Sequence, residues 1–219
     1  PPEQIDRIAA QLGVSLDDLR DGGRPFAEAR ALAAYALRKT FAGLTVQQII
    51  DRLMENDILV GEVNNPPKEG TLLPDTYKFT RGMTRQQLVD RMAQEQQKVV
   101  REVWQRRGPD LPIKNPQELV VLASIVEKET GLAADRPMIA AVFINRLRKR
   151  MRLQTDPSVI YGLGSSFDGN LRKRDLQTDT PYNTYTRPGL PPTPIAMPGA
   201  ASLRATVRPE VSKALYFVA

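Results

Sequence analysis

The chain has neither cysteine nor histidine among its 219 residues. That excludes disulfides, thiol nucleophiles, imidazole bases and the usual nitrogen and sulfur ligands of zinc. Oxygen-ligated metals and Ser–Lys dyads survive this cut, but no calcium-type acidic loop and no S-x-x-K motif occurs. Neither a metal site nor a cofactor is therefore expected. Long apolar runs are missing too. The longest mainly apolar stretch, 119–126, is far too short to span a bilayer, and the mean hydropathy is −0.37. If the chain is an enzyme as it stands, carboxylates are the acids and bases left to it. The lack of cysteine also suits an extracytoplasmic protein.

What is present is basic and moderately apolar. A net charge of +6, with a pI near 9.7, fits an anionic partner: nucleic acid, an acidic lipid surface or an acidic polymer. A solvated surface with surplus arginine fits equally well. Hydrophobic residues make up 41%, enough for a sizeable core in one large domain or a medium domain with a smaller companion. The first residue is Pro1, so a processed chain or a piece of a longer one is expected.

The stretch 116–131, PQELVVLASIVEKETG, reads as one helix. Asn115 and Pro116 form a start signal, and Gly131 is expected to close the helix with a left-handed turn. Leu119, Leu122, Ala123, Val126 and Thr130 recur at helical spacing, and Val120, Val121 and Ile125 make most of the other surface apolar. Such a helix is enclosed, yet it carries Glu127 and Glu129 near its end. A buried carboxylate is costly unless it is paired or its raised pKa has a use. At ~100° per residue the two stand roughly 160° apart and cannot easily share one compact site. Glu127 stands over Ala123 and Ser124, whose small side chains leave room for a ligand, whereas Glu129 stands over Ile125 and Val126. On that ground Glu127 is the candidate general acid. The competing reading pairs it with one of the nearby arginines.

Elsewhere, residues 1–40 read as short helices. Their I-A-x-x-L-G-V-S stretch resembles a LysM-type glycan-binding module, and a plain helical hairpin serves as well. Thr45-Val-Gln-Gln48 and Thr84-Arg-Gln-Gln87 echo each other as capping boxes, each opening an amphipathic helix. The second of these is long, with Leu88, Met92, Val99, Val103 and Trp104 inward. Between them, 76–79 reads as a short strand. Asp135 and Pro137 open a helix to about residue 151, ending in a basic turn from Arg146 to Arg152 that suits the helix dipole or an acidic ligand. From Leu153 the chain reads mostly as ordered loops lining a groove, rich in proline and tyrosine, with a short helix at 202–207 and a strand at 215–218.

Several blocks occur in order: E-G-T-L-L-P-D-T-Y at 69–77, L-A-S-I-V-E-K-E-T at 122–130, V-F-I-N-R-L at 142–147 and M-R-L-Q-T-D-P-S-V-I-Y-G at 151–162. Y-N-T-Y at 182–185 and G-L-P-P-x-P-I-A-x-P-G at 189–199 follow them. Over residues 43–219 the chain resembles the YceG-like, or MltG, family of endolytic murein transglycosylases. The resemblance implies an α+β, predominantly helical YceG-like catalytic domain at 43–219 and a small LysM-like or helical module at 1–42. It also implies cleavage of the MurNAc–GlcNAc bond of nascent peptidoglycan strands, leaving 1,6-anhydro-MurNAc ends. Glu127, the first Glu of the E-K-E-T block, is its implied acid. The implied location is the bacterial inner membrane, with the catalytic domain facing the periplasm or extracytoplasmic space. A membrane anchor is expected outside these residues, and cell-wall synthases are candidate partners. The family pattern continues past residue 219 into a Gly- and His-containing segment.

The chemistry agrees. Hydrolytic glycosidases generally flank the bond with two carboxylates. A lytic transglycosylase manages with one, because the sugar's own C6 hydroxyl attacks the anomeric carbon in place of water. Gln154, Thr155, Asp156, Tyr182, Asn183 and Tyr185 are candidate substrate-binding residues of the groove, and loop packing is the competing role for each. A silent peptidoglycan-binding module is the alternative function. A nucleic-acid binder is permitted by charge alone; no recognised motif supports it, so no nucleic acid is expected.

Overall fold

The computed structural model describes residues 41–217. The expected module at 1–42 lies, apart from its last two residues, outside the described residues. Among these the fold is mostly helical. Its helices are α1 (Val46–Met54), α2 (Arg85–Gln105), α3 (Pro116–Glu129), α4 (Arg136–Arg148), α5 (Asp156–Leu163), α6 (Lys173–Gln177) and α7 (Ala200–Val207).

Local chemistry accounts for most helix starts. Both capping boxes form: Thr45 and Thr84 accept from the backbone N–H of Gln48 and Gln87, and each glutamine side chain answers to the cap's own N–H. Asn115 caps α3 by accepting from Glu118 N–H, with Pro116 opening the helix. At its other end α3 stops at Thr130, which is extended (φ −146°, ψ 139°), and Gly131 does not adopt the expected left-handed turn. α1 closes differently: buried Arg85, the first residue of α2, donates to the carbonyls of Leu53, Met54, Asn56 and Gly61. One guanidinium thus serves the carbonyls that end α1 and welds it to α2.

The core has two parts. Leu119, Leu122, Ile125 and Val126 of α3 pack with Ile139, Phe143 and Ile144 of α4 and with Leu203 and Val207 of α7. A second cluster joins Ile49 and Leu53 of α1 to Leu88 and Met92 of α2, and also takes in Phe41, Leu72, Tyr77 and Met197. The segment 194–199 joins the two clusters, contributing Ile195 to the first and Met197 to the second. α3 is the axis of the first cluster, in contact with α2, α4, α5 and α7.

Three expectations change. The β part of the expected α+β fold reduces, among the described residues, to one isolated parallel bridge between Val60 and Thr84. Residues 76–79 form no strand, and the buried Tyr77 hydroxyl instead donates back to Leu73 O. Residues 215–217 form none either. Carbonyls in this stretch are taken by side chains of α4: Asn145 donates to Ser212 O and Ala214 O, and Arg146 to Leu215 O. Finally, α5 and α6 stand where loop was read. Asp156-Pro157 is the same kind of start signal as Asn115-Pro116.

Candidate active site

Glu127 and Glu129 leave α3 into different surroundings, as their angular separation requires. Glu127 is buried, and three donors occupy its oxygens. Arg136 Nη2 lies 2.8 Å from Oε1, while Gly199 N and Ser202 Oγ lie 2.9 and 2.6 Å from Oε2. This is the arginine pairing weighed against a catalytic role. The room expected beside Ala123 and Ser124 is filled by the chain itself, since Ile195 N–H donates to Ser124 Oγ at 3.0 Å. Glu127 therefore ties the end of α3 to the starts of α4 and α7.

Glu129 is only half-buried and is where the expected groove residues gather. Thr155 Oγ1 donates to Glu129 Oε1. Thr155 is the N-cap of α5, yet its hydroxyl makes no capping bond. A favourable cap is given up to hold a carboxyl. Burial raises the Glu129 pKa above its ordinary value. The nearby Asp156 charge adds to this, while the Thr155 bond and the Arg146 charge oppose it. Asp156 is exposed, and its Oδ1 accepts from Tyr185 OH at 2.5 Å. Burial and that same contact push the Tyr185 hydroxyl well above its usual range.

The Y-N-T-Y block supports this loop from beneath. Gln154 N–H donates to Thr184 O and Thr155 N–H to Thr184 Oγ1, at 3.1 and 3.0 Å. Gln154 itself holds φ at +51°, an uncommon conformation for a residue other than glycine, immediately before the residue that grips Glu129. Asn183 is buried, and its amide is spent on the carbonyls of Asp175, Leu176 and Thr178. It shapes the loop and leaves no donor for a ligand. Tyr182 stands apart from Glu129. Its ring meets Tyr161 edge-on at 5.0 Å, and its hydroxyl pairs with Thr193 Oγ1. Tyr161 OH reaches the carboxylate of Glu69 at 3.4 Å, and burial lifts the Tyr161 hydroxyl to about 12.

The structure thus brings Thr155 to Glu129 directly, Asp156 as a nearby charge, Tyr185 through Asp156, and Gln154 by adjacency. Sequence reasoning placed Glu129 second to Glu127 and passed over Thr184, Glu69 and Tyr161. Arg146 was read as part of a basic helix end. It is buried, donating to Leu153 O and Leu215 O at 2.7 Å, so the Arg146–Arg152 run is not one patch. The signal for Glu69 and Tyr161 was present, since both lie within the quoted blocks.

The central helix of this helical domain ends in a half-buried carboxyl, with the exposed Asp156 and its partner Tyr185 beside it. The YceG-like family model matches residues 17–219, and the chain belongs to that family. An endolytic murein transglycosylase of Bacillus subtilis is 36% identical over 191 residues, covering 84% of this chain and 52% of the relative. One of Streptococcus pneumoniae is 30% identical over 220 residues, covering 98% of this chain and 38% of the relative. The chain therefore spans about half or less of these curated relatives. The crystal structure of a yceG-like protein from Listeria monocytogenes matches with a TM-score of 0.60 at 33% identity, covering 98% of this chain and 66% of that one.

Proposed function

We propose that this chain carries the catalytic unit of an endolytic peptidoglycan lytic transglycosylase, with Glu129 as its acid. It cleaves the MurNAc–GlcNAc bond within nascent strands and leaves 1,6-anhydro-MurNAc ends. The names of the relatives support the activity, and the setting of Glu129 supports the mechanism. The carrying observation is that Glu129 is half-buried, held by Thr155 through Oε1, with its pKa raised by burial and by the charge of the exposed Asp156. Glu127, by contrast, has both oxygens taken by the protein. The acid is thereby reassigned from the first to the second Glu of the E-K-E-T block.

In this mechanism protonated Glu129 donates to the leaving glycosidic oxygen. As carboxylate it then accepts the proton of the C6 hydroxyl that closes on the anomeric carbon. The proton lost in the first half is regained in the second, and no water is consumed. Thr155 fixes the carboxyl, and Asp156 keeps it protonated to higher pH. Asp156 and Tyr185 are the proposed sugar contacts nearest the acid, with Tyr182 further along. We also assign the unit to the extracytoplasmic side of the bacterial inner membrane, with its anchor outside residues 1–219 and cell-wall synthases as partners. No described helix is long and apolar enough to cross a membrane.

Digestion of purified peptidoglycan with mass analysis of the first products tests the proposal. The expected muropeptides are one water lighter than hydrolysis products. Reducing-end muramic acid as the main initial product would instead favour a two-carboxylate hydrolase built on Glu129 and Asp156.

A further inference from the structure

The ends of α2 and α7 and the start of α4 border a concavity of about 370 Å³ that shares no lining residue with the groups around Glu129. Its wall carries Glu102, Arg106, Arg204 and Arg208, and every other lining residue is Val, Ala or Pro. Val103, Ala205 and Val207 are buried, so the apolar floor is preformed. The two helix ends are tied together beside it: Arg208 Nε donates to Arg106 O at 3.1 Å, and Gly108 N–H to Val207 O at 3.0 Å. Arg204 stands one turn before Arg208. Among the described residues, no ion pair or hydrogen bond engages the guanidinium of Arg106 or of Arg204, or the carboxylate of Glu102. Glu102 and Arg106 have the i,i+4 spacing that suits a pair on a helix, yet form none. The helix dipoles favour cations at these C-terminal ends but give them no acceptor. Three guanidinium groups over an apolar floor, with one carboxylate among them, leave a surplus of positive charge in a cleft that focuses its field.

We propose that this concavity docks a short acidic segment of a partner protein, an apolar side chain flanked by Asp or Glu. The flanking carboxylates accept from Arg106, Arg204 and the Nη groups of Arg208. The apolar side chain enters against Val103, Ala205 and Val207, and a backbone N–H of the segment donates to Glu102. The presence of Glu102 decides the class of partner. A fatty-acid anion supplies the arginines with an acceptor and the floor with a chain, but no donor for that carboxylate. A phosphate-dense polymer sets further negative charge against it. A peptide supplies acceptors, apolar surface and donors together. Arginine is also among the residue types that dominate protein interfaces, where it works from around a well-packed centre. The proposal is independent of the glycan-cleaving reading, because no residue of the site belongs to the surroundings of the proposed acid.

The test is calorimetric titration of the full chain with the blocked pentapeptide acetyl-Asp-Glu-Leu-Glu-Asp-amide and with its uncharged Asn/Gln analogue. The acidic peptide is expected to bind about tenfold tighter, the worth of two partly screened ion pairs. Arg106→Gln combined with Arg204→Gln should bring the two affinities to within about threefold. Lys149→Gln combined with Arg150→Gln removes the same charge elsewhere and should leave the preference intact. Ala201→Trp fills the concavity and should weaken the acidic peptide about tenfold by excluding its leucine, with thermal melts confirming that each variant is folded. A Kd weaker than about 1 mM for the acidic peptide, or a preference that survives the paired Arg106 and Arg204 substitutions, would overturn the site. An equal loss in the Lys149 and Arg150 variant would reduce the preference to net charge and overturn it too. Phosphatidylglycerol vesicles that lose binding on the Arg106 and Arg204 substitutions, where the peptide does not, would assign the concavity to lipid against the proposal. Tighter binding of muramyl dipeptide than of the pentapeptide would assign it to the substrate and overturn it as well. None of these readouts needs turnover.

Discussion

Replacing Glu127 by glutamine should damage stability far more than chemistry. Its side chain is 4% exposed and that of Arg136 14%, so solvent screens the pair little. Removing one partner of such a pair costs ~3–5 kcal/mol, mostly through the charge left behind. The amide oxygen of glutamine can still accept from Gly199 and Ser202, and Arg136 keeps a narrow contact with solvent. Both facts place the loss near the lower end, ~3 kcal/mol. With a urea m-value of ~2 kcal/mol/M, the unfolding midpoint should fall by ~1.5 M. Circular dichroism in urea measures this, and peptidoglycan cleavage per folded molecule measures the chemistry. Glu129→Gln should do the opposite, cutting cleavage by ~10²–10⁴-fold through loss of the general acid. Because its folded pKa is raised, Glu129 withdraws stability as pH climbs from the ordinary carboxyl value through the raised one. Its glutamine variant should therefore be no less stable at neutral pH. A Glu127→Gln protein with an unmoved midpoint and no cleavage would refute the assignment and return the acid to Glu127.

Three further outcomes are expected. Asp156→Asn removes a charge that raises the Glu129 pKa, so the alkaline limb of the kcat/KM profile should move to lower pH; anhydro products should persist, and an unmoved limb would show that Asp156 does not act on the acid. Gly70→Ala should destabilise by ~2–4 kcal/mol, since φ is +79° and the new Cβ would stand 2.5 Å from Pro194 Cγ and 2.9 Å from Val120 Cγ1; a melting temperature within a degree of the parent would contradict that packing. Thr84→Ala should cost ~1 kcal/mol in chemical denaturation by opening the α2 capping box, with Thr84→Ser recovering most of it.

Much of this was legible locally, because the information lay within a few residues. Thr45, Thr84 and Asn115 each announce a helix through partners three positions away. The enclosure of α3 and the opposed directions of its two glutamates also follow from periodicity alone. What those glutamates meet does not. Arg136 is 9 residues from Glu127, but Ser202 is 75 away, and Thr155 is 26 from Glu129. Ala123 and Ser124 were read as vacant space, yet small side chains on a central helix admit a backbone as readily as a ligand. The segment 194–199 takes that space. The expected strand at 215–218 is missing from its described residues for a related reason: Leu215 O is taken by Arg146 of α4, a partner 69 positions away that local pattern does not reveal. Asp156-Pro157 was misread because the surrounding prolines and glycines suggested loop, while its cap residue spends its hydroxyl on Glu129.

Arg146 gives the domain an electromechanical joint. One buried guanidinium holds Leu215 O on one side and Leu153 O on the other, with the Tyr216 ring 4.9 Å away, and its charge opposes the rise in the Glu129 pKa. The 212–217 segment and the loop that grips the acid therefore share a cation. Substituting Arg146 would therefore free a carbonyl on each side and, in the same step, remove a charge that opposes the rise in the Glu129 pKa.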